Sequence, residues 1–304
     1  MSERKTKVWD VIKNPWKIVK HYGGKGYFKW IPDELYIKMC YRAAFNNWPN
    51  LDYPVTFNEK LNWLKLHDRK PIYTTMVDKY EAKKYVADII GGEYIIPTLG
   101  VWNNFDDIDF EKLPDRFVLK CTHDSGGVII CHDKKKLDKG MARKVIEKSL
   151  KRKFYYVARE WPYKNVKPRI IAEKYMEDDI TKELRDYKIF TFNGVAKALF
   201  IATERQVEGE ETKFDFFDMD FNHLSLTNGH PCAKKHPAIP STINTMKLLA
   251  EKLSKGIPHL RVDFYEVNGK VYFGELTFSH WGGFVPFEPN SWDKKFGDWI
   301  NIKK

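Results

Sequence analysis

Hydrophobic and polar positions follow two different periods along the chain, and the change between them separates a helical part from a strand-rich part. Up to about residue 90, apolar residues recur at helical spacing among charged ones. Residues that favour helix N-termini stand at the start of two of these segments: Asp33 can cap the first, and Asn58 with Glu59 opens the second. The pattern predicts helices over residues 33–48, 57–67 and 74–89, and then a short buried extended segment over 95–102.

From residue 116 onward, short apolar runs bounded by turn residues are typical of strands. Asn193-Gly194 and Asn268-Gly269 each lie between two such runs, and Asn-Gly is the strongest short signal for a β-hairpin. Hairpins mixed with helices favour an α+β fold over a doubly wound parallel sheet. The predicted strands cover residues 116–121, 128–131, 169–173, 187–192, 195–201, 260–265 and 271–276, and further helices cover 140–153 and 242–255.

The composition is that of a soluble globular protein of 304 residues, with 43% hydrophobic residues and a mean hydropathy of −0.54. No stretch approaches the roughly 20 apolar residues of a membrane-spanning helix. The polar start, Met1 to Lys7, leads into no apolar run, so we expect no secretory signal. The cysteines show no metal-type or disulfide-type spacing, which favours a cytoplasmic location; they are Cys40, Cys121, Cys131 and Cys232.

The chain is strongly basic, with 52 Lys and Arg against 41 Asp and Glu and a net charge of +11. This charge favours an anionic partner. Residues 1–30 carry eight basic and two acidic side chains, with Trp9 and Trp16 interleaved among them. Such a segment can lie on the anionic inner face of a membrane, or its tryptophans can pack on the domain, and the sequence does not decide between the two. We expect no nucleic-acid partner, because no recognition module is evident.

The last hairpin carries the most informative polar residues. Arg261 and Asp263 share one side of their strand, as do Glu275 and Thr277 of theirs. A two-residue loop, Asn268-Gly269, would turn the two pairs to opposite faces, whereas a three-residue loop would bring them to one face. On one face they would offer Mg²⁺ two carboxylates and a hydroxyl, with Arg261 beside bound phosphates. The alternative is an exposed strand carrying a surface salt bridge.

Three further segments could contact an anionic nucleotide. Backbone N–H groups of the Ser125-Gly126-Gly127 turn could approach an anion closely, and Lys120 ends the strand before it. The turn is not a phosphate-binding P-loop, and alone it is typical of an ordinary hairpin. The apolar strand at 171–176 abruptly becomes charged, as either an adenine-binding hinge or a plain strand end does. Asp186 and Lys188 share a strand face, where they could pair or contact a nucleotide.

Taken in order, several segments resemble the ATP-grasp proteins and, more narrowly, the TupA-like ATP-grasp family, which is named for a teichuronopeptide biosynthesis protein. The resemblance covers about Pro32 to Asp298. It is carried by Thr56-Phe57-Asn58-Glu59-Lys60-Leu61, Asp78-Lys79, Gly100-Val101-Trp102, Phe117-Val118-Leu119-Lys120, Ser125-Gly126-Gly127, Glu160-Trp161-Pro162-Tyr163, Glu173-Lys174-Tyr175-Met176, Arg261-Val262-Asp263 and Gly274-Glu275-Leu276-Thr277-Phe278.

The resemblance implies that two α+β subdomains hold ATP between them. Ser125, Gly126 and Gly127 would form a lid over the phosphates, and Arg261 and Lys120 would act in catalysis. Thr277 departs from the asparagine that many ATP-grasp enzymes carry there, and the unusual Ser279-His280-Trp281 is expected to shape the acceptor pocket. The implied nucleotide contacts are Lys79, Lys120, Glu173, Lys174, Tyr175, Met176, Asp186 and Lys188, and the implied Mg²⁺ ligands are Asp263, Glu275 and Thr277.

We therefore expect a basic helical N-terminal region over residues 1–75, a subdomain with the glycine lid over 76–175, and a subdomain with the metal-binding hairpin over 176–304. The expected activity joins an amine or amino acid to the carboxylate of an acidic sugar through an acyl phosphate, in cell-surface polysaccharide synthesis. A kinase of a sugar or alcohol is the main alternative. A glycosyltransferase is disfavoured by the lack of an early DxD-like pair. A non-catalytic nucleotide-binding module is disfavoured because Lys120, Asp263 and Glu275 are all present.

Overall fold

A computed structural model of the protein describes residues 15–180, 184–204 and 209–302. Residues 1–14, the first part of the basic segment for which membrane contact and packing on the domain were both left open, lie outside the described residues. The described chain contains helices and two antiparallel β-sheets, which confirms the predicted α+β class. None of its helices combines the length and the apolar character needed to cross a lipid bilayer.

The helices precede, separate and follow the two sheets. They are α1 (Trp16–Gly23), α2 (Asp33–Phe45), α3 (Phe57–His67), α4 (Ile72–Val77), α5 (Glu81–Ile90), α6 (Lys139–Leu150), α7 (Tyr155–Ala158), α8 (Ile243–Leu253) and α9 (Ser291–Trp299). The strands are β1 (Thr98–Trp102), β2 (Phe117–Cys121), β3 (Ile129–Cys131), β4 (Ile170–Lys174), β5 (Asp186–Phe192), β6 (Val195–Thr203), β7 (Lys213–Asp218), β8 (His259–Val267) and β9 (Lys270–Thr277).

The first sheet has the strand order β1-β4-β2-β3 and is covered on one face. Along β2, Phe117 and Leu119 are buried and pack with Ile146 of α6, whereas Val118 and Lys120 are only partly buried. This alternation is that of a strand with one packed and one open face. The open face carries Lys120 toward the cleft described below.

The second sheet has the order β7-β6-β5-β8-β9 and is covered on both faces. On one face α5 and α8 pack against residues such as Ile189 and Val262. On the other face Phe57 of α3 and Phe296 of α9 join an aromatic cluster with Phe190 of β5. Because both faces are buried, these strands appear in the sequence as nearly continuous apolar runs.

The helix predicted over residues 74–89 is two helices, α4 and α5, separated at residues 78–80. Asp78 interrupts it because its Oδ1 accepts hydrogen bonds from the backbone N–H groups of Tyr80 (2.9 Å) and Glu81 (3.3 Å), capping α5. Its Oδ2 pairs with Arg169 at 2.7 Å. The interruption releases Lys79 from the helix and directs it toward the cleft.

Other differences from the prediction lie where tertiary contacts decide. The segment predicted as buried over 95–102 contains β1, an edge strand whose Leu99 is exposed. The sequence analysis did not predict β7 or α9. Thr56, one residue before the predicted start, caps α3 by a reciprocal capping box with Glu59. Helix α2 ends at Phe45 rather than at residue 48, because Asn46 adopts a left-handed conformation (φ +60°).

Candidate active site

A cleft of about 450 Å³ lies between the two sheets. This volume is in the range of small-molecule binding sites. Val118, Lys120 and Ile130 line it from the first sheet. The lining from elsewhere comes from the Ser125-Gly126 turn, the segment after β4, the start of β5 and the β8–β9 hairpin. Of the predicted site residues, the cleft is lined by Lys79, Lys120, Ser125, Gly126, Glu173, Lys174, Tyr175, Met176, Asp186, Lys188 and Glu275.

The β8–β9 hairpin places its polar residues on one face by a route that neither sequence alternative contained. Its loop is the two-residue Asn268-Gly269 turn, with φ of +51° and +73°. The register then shifts by one residue at Gly274, so that Asp263 lies opposite Glu275 and Arg261 opposite Thr277. This β-bulge restores the shared face that the two-residue loop alone would have removed.

Arg261 is the centre of this face. Its Nε and Nη2 donate to the two oxygens of Asp263, each at 2.7 Å. The same Nη2 lies 3.0 Å from Glu275 Oε1 and 3.0 Å from Thr277 Oγ1. A bidentate guanidinium–carboxylate pair fixes both position and orientation. The arginine is therefore held rigidly before any ligand binds.

His280 adds a contact that sequence reasoning missed. Arg261 Nη1 donates to His280 Nδ1 at 2.8 Å, and His280 Nε2 donates to Asn228 Oδ1 at 2.8 Å. Burial, with the nearby Arg261, lowers the pKa of His280 well below its usual value, so the ring is neutral. Asn228 is itself held by carbonyl oxygens of Val285 (3.1 Å) and Pro286 (3.0 Å). His280 and Asn228 thus form a chain of hydrogen bonds that holds the side chain of Arg261 in place.

The carboxylates of this wall differ in their exposure and electrostatics. Burial raises the pKa of Asp263, with Arg261 and Lys188 opposing that rise. Burial would also raise the pKa of Glu275, but Lys79, Lys188 and Arg261 outweigh it and the pKa is lowered. Asp263 is fully buried, whereas Glu275 keeps 39% of its side chain exposed toward the cleft. Glu275 is the carboxylate that a ligand meets first.

The opposite wall carries lysines that share one carboxylate. Glu173 is buried in β4, and its two oxygens accept from Lys83 at 2.7 Å and from Lys120 at 2.5 Å. Burial raises the pKa of Glu173, but Lys120 and Lys83 outweigh it, so the pKa is lowered and the group is ionised. Lys83, on α5, was not predicted. It follows Lys79 by four residues within the segment predicted as one helix, and this spacing could have indicated it.

Lys79 occupies the gap between the walls. Its Nζ donates to the carbonyl oxygen of Asp124 at 2.9 Å and lies 3.9 Å from Glu275 Oε2. Asp124 begins the glycine turn, so the same lysine touches the turn and the hairpin. Lys79, Lys120 and Glu275 are therefore brought to one cleft, as the family resemblance implied.

The Ser125-Gly126-Gly127 turn is closely fitted at one end and open at the other. Gly126 (φ +117°) lines the cleft, and a Cβ there would meet nothing within 4 Å. Gly127 (φ +61°) lies away from the lining, where a Cβ would come within 2.6 Å of Ser149 on α6. Ser149 also donates to Asp124 at 2.8 Å, which anchors the turn to α6. Ser125 and Gly126 face a ligand, while Gly127 packs.

The predicted adenine hinge spans the end of a strand. Glu173 and Lys174 belong to β4, and Tyr175 and Met176 follow its last residue. Tyr175 is covered by the guanidinium of Arg116, 4.0 Å from the ring centre. Across the cleft Lys188 pairs with Asp186 at 3.0 Å and with Asp263, which confirms the shared face predicted for Asp186 and Lys188.

Glu160 is a further buried carboxyl group near the hairpin. It belongs to the segment Glu160-Trp161-Pro162-Tyr163, which the sequence analysis used only for the family resemblance. Burial raises the pKa of Glu160 to about 7, opposed by Lys65, and burial lowers the pKa of Lys65 to about 7. Lys65 Nζ donates to the carbonyl oxygens of Ala158 (2.7 Å) and Gly282 (2.8 Å). Gly282 follows Trp281, which is partly exposed. Lys65 therefore anchors, through Gly282, the segment predicted to shape the acceptor pocket.

The hairpin face suits a hard divalent cation. Asp263, Glu275 and Thr277 offer only oxygen donors, the type that Mg²⁺ prefers. These oxygens already converge on one positive group, the Nη2 of Arg261, within 3.0 Å of each. The residues present therefore fit Mg²⁺, and Asp263 and Glu275 are the side chains that would hold it.

A family model described as TupA-like ATPgrasp matches residues 59–301, about four-fifths of the chain. The chain belongs to the TupA-like ATP-grasp family. The match includes the residues that line the cleft and both of its walls. No curated protein sequence matches this chain.

Solved structures similar to this TupA-like protein include two D-alanine–D-alanine ligases. The Bacillus anthracis enzyme, complexed with ATP, is 16% identical over 67% of this chain and 55% of its own, with a TM-score of 0.41. The Helicobacter pylori enzyme is 12% identical over 82% and 68%, with a TM-score of 0.45. N5-carboxyaminoimidazole synthase from Aspergillus clavatus is 14% identical over 67% and 44%, with a TM-score of 0.42. The TupA-like chain thus spans about half the length of two of these three enzymes.

Proposed function

We propose that this protein is an ATP- and Mg²⁺-dependent ligase that activates a carboxylate as an acyl phosphate and joins it to an amine. The observation that carries the proposal is the composition of the cleft walls. Lys79 and Lys120 line one side of the cleft. Glu275 lines the other side, where it is hydrogen-bonded to the buried Arg261, the partner of Asp263. Phosphoryl transfer depends on such positioning and charge neutralisation.

The chemistry proceeds in two balanced steps. An oxygen of the substrate carboxylate attacks the γ-phosphorus of ATP, the bond to the bridging oxygen breaks, and ADP leaves. The amine nitrogen then attacks the acyl carbon, inorganic phosphate leaves with its oxygen, and the nitrogen gives its extra proton to solvent. Arg261 is oriented to stabilise the charge on the transferred phosphoryl group. When bound, Mg²⁺ would neutralise charge on the phosphates.

Glu173 prepares the lysine wall for this exchange. It holds Lys120 and Lys83 close together, at 2.5 and 2.7 Å. A phosphate that enters the cleft offers Lys120 more oxygens than one shared carboxylate does, and charge-assisted hydrogen bonds to phosphate are strong. Lys120 can therefore turn toward the nucleotide while Lys83 continues to neutralise Glu173.

The direct test measures ADP release with Mg²⁺ and a panel of carboxylic acids, with hydroxylamine present to trap the acyl phosphate. Hydroxamate that forms in step with ADP supports the ligase. ADP with a stable phosphorylated product and no hydroxamate would replace it with the kinase alternative. ATP bound without turnover, across a panel that includes amines and sugars, would favour a non-catalytic nucleotide-binding module instead.

We propose that the carboxylate belongs to an acidic sugar of a cell-surface polysaccharide under assembly in the cytoplasm. The net charge of +11 supports an acidic acceptor, as does the resemblance of the chain to a teichuronopeptide biosynthesis protein. Glucuronic acid and glucose form a matched pair for the assay, because they differ only in the carboxylate. Hydroxamate from the acid but not from glucose is expected, whereas equal ADP release with both would contradict the acidic-sugar proposal.

We further propose that residues 1–30 contact anionic lipid. In the described part of this segment Tyr27 and Trp30 are 66% and 78% exposed, and Lys25 and Lys29 lie near them in sequence. Aromatic and basic side chains together suit a membrane surface. Sedimentation with vesicles that contain phosphatidylserine should recover the full chain and lose it when Tyr27 and Trp30 are both changed to serine. Equal recovery of both forms would contradict this role.

A further inference from the structure

Four metal-ligating side chains meet on the second sheet, away from the cleft. Asp215 lies in β7 and is completely buried. His223, Cys232 and His236 come from the segment that connects β7 to α8. Three of the nine histidines of the chain, together with Cys232, fall within residues 223–236. The proposed ligase mechanism uses none of the four clustered residues.

Their ligand atoms converge on the Asp215 carboxylate. One ligand atom each from Asp215, His223 and Cys232 lie within 4.8 Å of one another. His236 Nδ1 is 2.6 Å from Asp215 Oδ1, and His223 Nε2 is 3.5 Å from the same oxygen. The two imidazole rings stack with their centres 3.7 Å apart. Asp215, His223 and Cys232 therefore form one group of ligand atoms, and His236 joins it through Asp215.

Two ligand atoms of the cluster make no short hydrogen bond within the described residues. His223 Nε2 is buried and makes no hydrogen bond within the described residues. Cys232 Sγ has only a long contact, 3.7 Å, to the carbonyl oxygen of Leu226. His223 Nε2 thus lies 3.5 Å from the Asp215 carboxylate without a well-formed hydrogen bond, which leaves its lone pair available to a metal ion.

The types of ligand atom in the cluster indicate which metal ion it would bind. Thiolate and imidazole ligands suit zinc, whereas Mg²⁺ and Ca²⁺ require oxygen ligands. One cysteine, two histidines and one carboxylate make four ligands, the number of a closed structural zinc site. On binding, the Cys232 thiol would release its proton to solvent, and the thiolate and the Asp215 carboxylate would balance the charge of the ion.

We propose that Asp215, His223, Cys232 and His236 form a structural Zn²⁺ site that fastens the β7–α8 connection to the second sheet. The same connection carries Asn228, which lies between His223 and Cys232 in the chain and holds His280, the partner of Arg261. The zinc ion would thereby fix the support of Arg261. The metal acts on the active site only through this positioning.

The test begins with untagged protein, because a polyhistidine tag would itself bind zinc. After expression with added zinc and dialysis, elemental analysis should find about one Zn²⁺ per chain. Cys232→Ser and His223→Ala should each lower this content severalfold. His230→Gln is the matched control, since His230 lies in the same segment but contacts Phe214 and Glu211 instead, and its content should stay near one.

Cobalt provides a readout that depends on the ligands rather than on activity. Metal-free protein titrated with Co²⁺ should develop the visible bands of tetrahedral cobalt and a thiolate charge-transfer band. Cys232→Ser should lose the charge-transfer band even if it keeps some cobalt. The wild-type measurement needs no variant, so a variant that fails to fold does not weaken the test.

Two results would overturn the proposal. One is wild-type protein with far less than one zinc ion per chain and no thiolate–cobalt band, which would leave Asp215 and His236 as a simple hydrogen-bonded pair. The other is zinc that stays unchanged in both ligand variants, which would assign it to another site, such as Asp263 and Glu275. Neither result bears on the ligase proposal, which is tested by hydroxamate formation.

Discussion

The two walls of the cleft differ in how their charged side chains are held. The hairpin wall is formed by β8 and β9, and the lysine wall by the lysines around Glu173. On the hairpin wall, Arg261 is bound by Asp263, Glu275, Thr277 and His280 at 2.7 to 3.0 Å. On the lysine wall, long flexible side chains share the single carboxylate of Glu173. The hairpin wall is pre-organised, and preorganised charges cost no reorganisation during the reaction.

The difference follows from the elements that carry each wall. Arg261 and its carboxylates project from two adjacent strands whose register is fixed by backbone hydrogen bonds. Lys83 and Lys120 come from a helix and from a strand of the other sheet, and only their ends meet. The hairpin wall is therefore rigid, and the lysine wall is the more adaptable of the two.

The largest expected effect comes from the rigid wall. Asp263→Asn removes the carboxylate that pairs with both Arg261 and Lys188, so ADP release should fall by about 1,000-fold or more. Breaking a buried ion pair should also cost about 3–5 kcal/mol of unfolding free energy. Steady-state kinetics and urea unfolding measure the two losses. Asp88→Asn, at an exposed pair on α5, is the control and should change neither. Full turnover in Asp263→Asn would exclude this wall from catalysis.

The adaptable wall should respond in binding rather than in folding. Lys120→Met removes one charge-assisted contact to phosphate, which is worth about 1.5–3 kcal/mol, so the KM for ATP should rise about 10- to 100-fold. Stability should change little, because Glu173 keeps Lys83 at 2.7 Å. Lys84→Met, exposed on α5, is the matched control. A loss of stability with an unchanged KM would show that Lys120 serves the fold alone.

A smaller change tests the register of the rigid wall. In Gly274→Ala the new Cβ would lie 3.0 Å from the Asp263 carbonyl oxygen and 3.2 Å from the Tyr265 ring. The crowding should cost about 1–3 kcal/mol and lower kcat about tenfold, because the bulge sets the position of Glu275. Gly92→Ala meets no atom within 4 Å and should be nearly neutral. Unchanged kinetics in Gly274→Ala would show that the bulge tolerates a side chain.

The smallest effect concerns the core behind the rigid wall. Burial lowers the pKa of His259 to about 3, against a usual value near 6.5, and Arg261 adds to this shift. Between these values the unfolded chain binds a proton that the folded chain does not, so stability falls as the pH falls from 6.5 toward 3. The loss is about 1.4 kcal/mol per pH unit.

His259→Phe should remove this loss, since the ring packs among Phe57, Phe190 and Phe192. The decrease in unfolding free energy between pH 7 and pH 5 should then be about 2 kcal/mol smaller than in the wild type. Urea unfolding at both pH values measures the difference. His132→Phe, at an exposed site, should retain the wild-type dependence, and an equal dependence in His259→Phe would refute the assignment.

The sequence predicted the local features well. Both Asn-Gly hairpins form, and Arg261, Asp263, Glu275 and Thr277 share a face as one of the two alternatives required. The reason for the shared face was wrong, since a bulge rather than a three-residue loop provides it. The signal for a turn lies within four consecutive residues, whereas a bulge depends on how the whole strand packs. The turn could therefore be predicted from the local sequence and the bulge could not.

The missed features depend on residues far apart in the chain. The interruption at Asp78 is supported by Arg169, 91 residues away, and His280 is held by Asn228, 52 residues away. Asp215 meets His236 only because the connection after β7 folds back on the sheet. Strand β7 itself, Lys213–Asp218, alternates polar and apolar residues only over its first four positions, and this short run was not recognised as a strand. Patterns of spacing carry none of this information.

The lining of the cleft has a consequence for ionic strength. Four lysines and four carboxylates line it, so it is formally neutral although the chain carries +11. The excess charge that would attract a long polyanion therefore lies outside the cleft, where salt screens it. Added salt should weaken the capture of an extended acidic polymer steeply and the binding of ATP only slightly. Binding measured over a series of salt concentrations would thus distinguish polymer binding at the protein surface from ATP binding inside the cleft.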